Sequence, residues 1–359
     1  SGMHILSNTA ANVGGGVHNE AGTVTVSYTT ISGNSASYGG GIQSNGVLSL
    51  SHSTVAGNIG NGIAAIGTLN IESSTISGNT LNVSGNGGAG INIGENGVAM
   101  LRNSTISGNT VTGSGTVGGG IYNYYGALNL ESSTIAGNTA GSGSGIYSHG
   151  TVTITNSLIG DNSGGSDCSG TLTSQGYNLV ESGCTISGDP TGNITGQDPV
   201  LGPLQDNGGD TLTHALLPGS PAIDAGDPAN CPSTDQRGVA RPVDGDGDTI
   251  AVCDIGAYEQ EYQAIIRYVD INATGAATGL SWTDAYTNVQ DALAVAGAGD
   301  GVWVAAGVYY PDVGAGQIAD SVTATFALTD GVVLYGGFAG TETQRDQRDW
   351  EAHVTVLSG

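Results

Sequence analysis

Val98–Gly126 reads VAMLRNSTISGNTVTGSGTVGGGIYNYYG, and pieces of it recur through the first half of the chain. The hexad STISGN at Ser104–Asn109 has relatives at Thr29–Asn34, Ser53–Asn58, Ser74–Asn79, Ser133–Asn138 and Ser157–Asn162, with a short copy, ILSN, at Ile5–Asn8. The closing residues Asn8, Asn34, Asn58, Asn79, Asn109, Asn138 and Asn162 repeat at intervals from 21 (Asn58 to Asn79) to 30 (Asn79 to Asn109) residues. After each of the first six comes a glycine-rich stretch and one apolar residue: Val17, Ile42, Ile63, Ile91, Ile121 and Ile146. From that residue to the next asparagine the spacing is 16 to 18, whereas the gap before it varies from 5 to 12. One arc of each repeat is rigid, and one corner, longest at Thr80–Gly90 and Thr110–Gly120, tolerates insertion.

Apolar and polar residues alternate within the rigid arc, as in Val24/Val26, Leu48/Leu50, Leu69/Ile71, Leu128/Leu130 and Val152/Ile154. A second inward column follows at Ile31, Val55, Ile76, Ile106, Ile135 and Ile159. Period two, β-branched residues and Gly/Asn boundaries predict short half-buried strands. About three such strands cannot bury a face alone, so the repeats must stack. The expected fold is all-β: a right-handed parallel β-helix, one coil per repeat. The seven asparagines should form a ladder at one corner, each amide bonded to those above and below.

Stacking also aligns the outward residues. One column reads Ser27, Ser51, Glu72, Arg102, Glu131, Thr155, and sets the only arginine of residues 1–166 between two glutamates. Unlike charges on neighbouring strands attract by about 0.2–1 kcal/mol, so Glu72, Arg102 and Glu131 are read as a surface ion-pair column. A second column, His18, Gln43, Ala64, Asn92, Tyr122, Tyr147, puts two tyrosines on consecutive coils, with Tyr124, Tyr125 and His149 nearby. Tyr122, Tyr124, Tyr125 and Tyr147 are candidate glycan contacts, since aromatic rings on a polar face stack on sugars; the same residues also serve as ordinary strand residues.

The chain of 359 residues has 64 glycines, no lysine and six arginines, with a net charge of −25. That charge excludes phosphate-backbone contacts to nucleic acid and suits solubility outside the cell. Neither a leader nor a membrane span is read in it. Residue 1 falls in mid-coil, so the sequence is expected to begin inside a longer protein. Cys168, Cys184, Cys231 and Cys253 lack CxxC spacing and favour disulfides; sequential pairing is expected among three possible connectivities. Asp244, Asp246 and Asp248 alternate with glycine, with Asp254 close behind. Such a loop suits a structural Ca²⁺ or is a solvated acidic turn, and it lacks the full EF-hand spacing. No other cofactor is expected.

Three stretches emerge. Residues 1–166 are regular coils, with five of the chain's 31 acids. Residues 167–262 bring proline, aspartate and the cysteines. Residues 263–359 start again, with Ala285, Val289, Ala292, Leu293 and Ala296 on one helical face, Thr283 as expected N-cap and Gly297 beyond the end. This helix and the strand after it would cap an open coil.

The string QDPVLGPLQDNGGDTLTHALLPGSPAIDAGDP at Gln197–Pro228, followed by DQRGVARPVDGDGD and CDIGAYE, resembles the C-terminal module of secreted bacterial β-helix proteins, the choice-of-anchor Q domain. The resemblance covers about Cys168–Glu259, and the family is similar to pectate-lyase-like and polymorphic outer-membrane-protein β-helices. It implies an exported bacterial surface or adhesin-like protein with no established reaction; no sorting motif follows Glu259. Arg267–Pro311 resembles the opening of a further β-helix of the same class.

The expectation is a structural cell-surface protein, not an enzyme, that stacks head to tail with copies of itself. The stacking would set Gln263–Gly359 on the first coils, near Met3–Val26, of the next copy, whether a separate chain or a continuation, and would build a filament or giant adhesin. The alternative is a polysaccharide lyase or hydrolase. Glu72 and Glu131, two coils or roughly 10 Å apart, suit an inverting pair by spacing, but Arg102 neutralises their column. His4, His18, His52 and His149 fall in different columns, and His214 reads as a packed or hydrogen-bonding residue.

Overall fold

The computed structural model describes residues 2–82 and 87–359. Part of the Thr80–Gly90 corner therefore lies outside the described residues. The chain forms two compact units, Ser1–Gly245 with Ala251–Gln260, and Asp246–Ile250 with Glu261–Gly359.

The first unit is a right-handed parallel β-helix. Each regular coil contributes one strand to each of three parallel sheets of seven, eight and nine strands. In the order the chain meets them, sheet 1 contains Val17–Asn19, sheet 2 Thr23–Ser27 and sheet 3 Thr29–Ser32, and later coils repeat the series. The register is the one the apolar columns predict: Ile91 lies between Ile63 and Ile121, and Ile106 between Ile76 and Ile135. The coils run past residue 166, through Thr171–Gln175 and Thr185–Asp189 to Ile194–Thr195. Val, Ile and Leu from every coil merge into one continuous fully buried core.

The hexad STISGN encodes one corner of a coil almost residue by residue. Its isoleucine points inward and is fully buried at every full copy from Ser74 to Asn138. Its glycine takes a left-handed conformation, φ 61–69° at Gly33, Gly57, Gly78, Gly108 and Gly137, which glycine adopts without steric cost. Its asparagine turns in. The Asn109 backbone N and Nδ2 both donate to Asn138 Oδ1, at 3.0 and 2.9 Å, while Asn109 Oδ1 accepts the same pair from Asn79. The pattern runs unbroken from Asn8 to Asn162. All donors point the same way along the stack, and Asp167 closes it by accepting from Asn162 N and Nδ2.

A second ladder was not anticipated from the sequence. The first serine of the hexad donates its hydroxyl to the carbonyl two residues back and accepts the backbone N–H of the serine one coil before. It runs through Ser53, Ser74, Ser104, Ser133 and Ser157 and passes to Asn178 and Asn193. It lies beside a sharp corner between sheets 2 and 3, formed by left-handed Tyr28, His52, Ser73, Asn103, Ser132, Asn156 and Tyr177. The ladder hydroxyl satisfies a backbone N–H that this corner would otherwise leave buried and unpaired.

Residues 197–245 and 251–260 do not continue the coils. They run back along the outer face of sheet 3 as an irregular strap. Leu216, Ala222 and Ile255 close over Leu158 and Leu179, which point outward. Further along, His214 meets Ser107, the Leu212 carbonyl accepts from Thr75 Oγ1, and Gln236 links Thr105 with Thr75. Returning, Ala257 N–H reaches Thr134 Oγ1. The strap buries Thr75, Thr105 and Thr134, whereas Thr30 and Thr54, in the same column, stay half-exposed. Two disulfides are present, Cys168–Cys184 and Cys231–Cys253, in the sequential pairing. They suit an oxidising, non-cytoplasmic environment.

In the second unit Ile266–Val269, Gly301–Ala305 and Val333–Phe338 form a parallel three-stranded sheet, and Gly307–Tyr309 pairs with Thr355–Leu357. The helix is shorter than its apolar spacing predicts, Val289–Leu293, and its N-cap is Asn288 rather than Thr283. The reason is local: Tyr286 pairs in extended form with the strand at Val269, exchanging backbone bonds with Tyr268 and Asp270. Residues committed to a bridge cannot open a helix. No helix among the described residues is long and apolar enough to cross a membrane.

Candidate functional site

The outward face of sheet 1 carries a groove of about 350 Å³ in the first unit. Its floor is the column the repeats define, Gln43, Ala64 and Asn92, one residue per coil and paired in register. Ala64 sits between two longer side chains, and that step makes the floor concave. Val13 and Tyr38, in the loops that enter sheet 1, form one wall. Ile66 and Tyr124, in the turns that leave it, form the other, and Tyr122 closes the end. The lining is largely apolar. Tyr38 is 59 % exposed and Tyr124 41 %, so both rings offer faces to a ligand.

The glycine-rich approach to sheet 1 has its own physical cause. A Cβ on Gly62 would lie 2.7 Å from the ladder amide of Asn79, and one on Gly145 2.8 Å from that of Asn162. Only glycine lets the entering chain pass over the asparagine ladder, and this close passage fixes where each floor residue emerges.

The four tyrosines singled out from the sequence do assemble, but with unequal roles. Tyr122 is 4 % exposed beneath Tyr124, Tyr147 and His149, with centroids 5.9–6.4 Å away. Tyr125 stacks on His149 at 5.5 Å, and Tyr147 meets His149 edge-on. Tyr122 is therefore a packed support, and Tyr124 is the ring that faces the groove. Tyr38 and Ile66 were missed because they sit in corners, where the repeat carries no fixed period.

Arg102 lies in register between Glu72 and Glu131, but its guanidinium pairs with Glu131 alone, Nη2 donating to both carboxylate oxygens at 2.7 and 2.8 Å. The ion-pair column is thus one pair with Glu72 beside it. These three residues, with Asn103 and the 230–234 loop, line a polar cleft on another face. His214 is a node of the strap. Gly202 O can only accept, so Nδ1 carries the proton and Nε2 accepts from Ser107 Oγ. Burial lowers its pKa and keeps it neutral. His52 stacks on Tyr28 and pairs with Asp210 at 3.2 Å.

The acids read as a possible Ca²⁺ loop sit in different settings. Asp244 and Asp254 belong to the first unit and Asp246 and Asp248 to the second. Asp254 is fully buried, and its two oxygens accept the backbone N–H groups of Asp224 and Gln260. Burial first, then the neighbouring Glu259, pushes its pKa up to about 8. Asp246 and Asp248 each accept a backbone N–H two residues on, as acids do in tight turns. Compared with known protein families, curated proteins and solved structures, the chain matches none.

Proposed function

We propose that this chain is a structural β-helical protein of the bacterial cell surface that adheres to neutral glycans through the sheet 1 groove. The observation that carries the reading is the pairing of two exposed tyrosines, Tyr38 and Tyr124, across a floor of amides, Gln43 and Asn92. Aromatic faces take the apolar side of a sugar ring and amides take its hydroxyls. None of the six arginines lines this groove, and a net charge of −25 disfavours an acidic polymer there. The resemblance of residues 168–259 to a module of exported β-helix proteins supports the same location. Further copies, joined end to end, are the protein partners this reading expects.

Affinity electrophoresis through gels holding neutral plant or microbial polysaccharides tests it. Retardation should appear with at least one neutral glycan and fall about fivefold in affinity for Tyr124→Ala, in line with loss of one stacking contact of about 1 kcal/mol. Absence of retardation, or an unaffected variant, would overturn the reading. A second reading, a glycan-cleaving enzyme, rests on Glu72 and Glu131 sharing one cleft. Release of reducing ends or unsaturated sugars, abolished by Glu72→Gln, would establish that reading instead.

A further inference from the structure

The second unit holds two arginines in an unusual setting for so acidic a chain. Arg345 and Arg348 both lie over the Tyr335 ring, 5.1 and 5.0 Å from its centroid, and Arg348 also lies 5.3 Å from that of Trp350. Among the described residues no carboxylate lies within ion-pair distance of either guanidinium, although Asp346, Asp349 and Glu351 are neighbours in sequence. The Asp349 carboxylate is turned instead to the backbone N–H groups of Glu351 and Ala352. Among the described residues only one nitrogen of each guanidinium is engaged: Arg345 Nη1 to Tyr335 Oη at 2.9 Å, and Arg348 Nη1 to Gly336 O at 3.5 Å.

Aromatic faces thus fix both cations in place without consuming their donors, which is the preorganisation an anion site needs. Beside them is a pocket of about 320 Å³ with Arg348 and Trp350 in its wall and Gly336 and Gly337 beneath. A Cβ on Gly337, at φ +91°, would come 2.8 Å from the Trp350 backbone, so glycine is required for that wall to stand where it does. Trp350 is 64 % exposed and presents a free indole face next to the guanidinium. A guanidinium fork beside an open indole matches a sugar ring that bears an anion.

We propose that this pocket binds an acidic saccharide, its carboxylate or sulfate held by Arg348 and its ring stacked on Trp350. The site is independent of the sheet 1 groove. Calorimetry on the whole chain at physiological salt would use five probes: a uronic-acid trisaccharide, a sulfated disaccharide, a neutral trisaccharide, inorganic sulfate and an acidic hexapeptide. At least one acidic sugar should bind about tenfold or more tightly than either the neutral sugar or sulfate, and the better of the two identifies the anion. Arg348→Gln should weaken it about tenfold, with near-UV circular dichroism confirming an intact aromatic cluster, whereas Arg345→Gln, outside the pocket, should leave it within about twofold. Trp350→Ala should weaken the sugar, and Tyr124→Ala should leave it unchanged. Equal binding of the neutral sugar, of inorganic sulfate or of an acidic hexapeptide would overturn the proposal, as would wild-type affinity in a folded Arg348→Gln.

Discussion

Replacing Asn109 by alanine should destabilise the middle of the stack far more than the same change at Asn8. Asn109 is fully buried, and its side chain takes part in four hydrogen bonds: it accepts from Asn79 N and Nδ2 and donates to Ile76 O and Asn138 Oδ1. Asn79 Nδ2 keeps Val55 O, and Asn138 Oδ1 keeps the Asn109 backbone N–H. The Asn79 backbone N–H loses its ladder acceptor, a buried orphan costing about 1–3 kcal/mol, and the remaining bonds add about 1 kcal/mol each. The total is about 5 kcal/mol. Asn8 is exposed and donates only to Asn34 Oδ1, which water can replace, so Asn8→Ala should cost under about 1 kcal/mol. Because a solenoid need not unfold in one step, native-state hydrogen exchange is the assay, read at the amides of Asn79, Asn109 and Asn138. Equal loss of protection in the two variants would refute the ladder as a source of stability. Asn109→Asp sharpens the test: it keeps the acceptor but turns a carboxylate oxygen toward Ile76 O and Asn138 Oδ1, and should be worse than alanine. Asp167→Asn keeps the Oδ1 that accepts from Asn162 and disturbs only the bond that Oδ2 accepts from the Ser182 hydroxyl, so it should be mild.

Asp254, with a folded-state pKa of about 8 against an ordinary carboxylate in the unfolded chain, favours the fold while protonated. Its contribution is full below about pH 4 and is lost as pH rises to about 8. Unfolding free energy should fall across that window and flatten in Asp254→Asn, by urea titrations at stepped pH; an unchanged slope would refute the assignment. Leu216→Ala opens a cavity over Leu158 and Leu179 and should cost about 2–5 kcal/mol, with proteolysis falling first within residues 197–245 and 251–260. Reducing Cys231–Cys253, which closes 22 residues, should cost roughly 3 kcal/mol by loop entropy, checked by denaturant midpoints with and without reductant.

The coils were legible because stacking forces identical chemistry onto identical positions. An inward residue must be apolar in every coil, a left-handed corner wants glycine, and a ladder wants asparagine, so the constraint prints itself as a period. The serine ladder was printed equally clearly at Ser53, Ser74, Ser104, Ser133 and Ser157. It was passed over because serine before a strand also reads as an ordinary turn residue. The Arg102 column shows the limit of the method: register gave the neighbours correctly, but which glutamate the guanidinium takes depends on side-chain torsions that register does not set.

The strap was harder to read, although the sequence does carry its trace. In the outward column of sheet 3 threonine gives way to Leu158 and Leu179. An apolar residue facing outward on a half-buried strand implies a covering layer, and residues 197–245 and 251–260, rich in proline and without a strand period, were the only uncommitted chain nearby. The groove depends on the reverse effect. Its floor follows the repeat and could be read as a column, but its walls, Val13, Tyr38, Ile66 and Tyr124, stand in corners of unequal length. Corner residues escape the stacking constraint, so their side chains are free to differ from coil to coil, and so the residues that distinguish this β-helix from a bare scaffold fall where periodicity is silent. The same reasoning places the arginine pair of the second unit beyond reach of any repeat: Arg345 and Arg348 converge on Tyr335 only because a short 3₁₀ turn at Arg345–Gln347 folds back toward the strand that carries it.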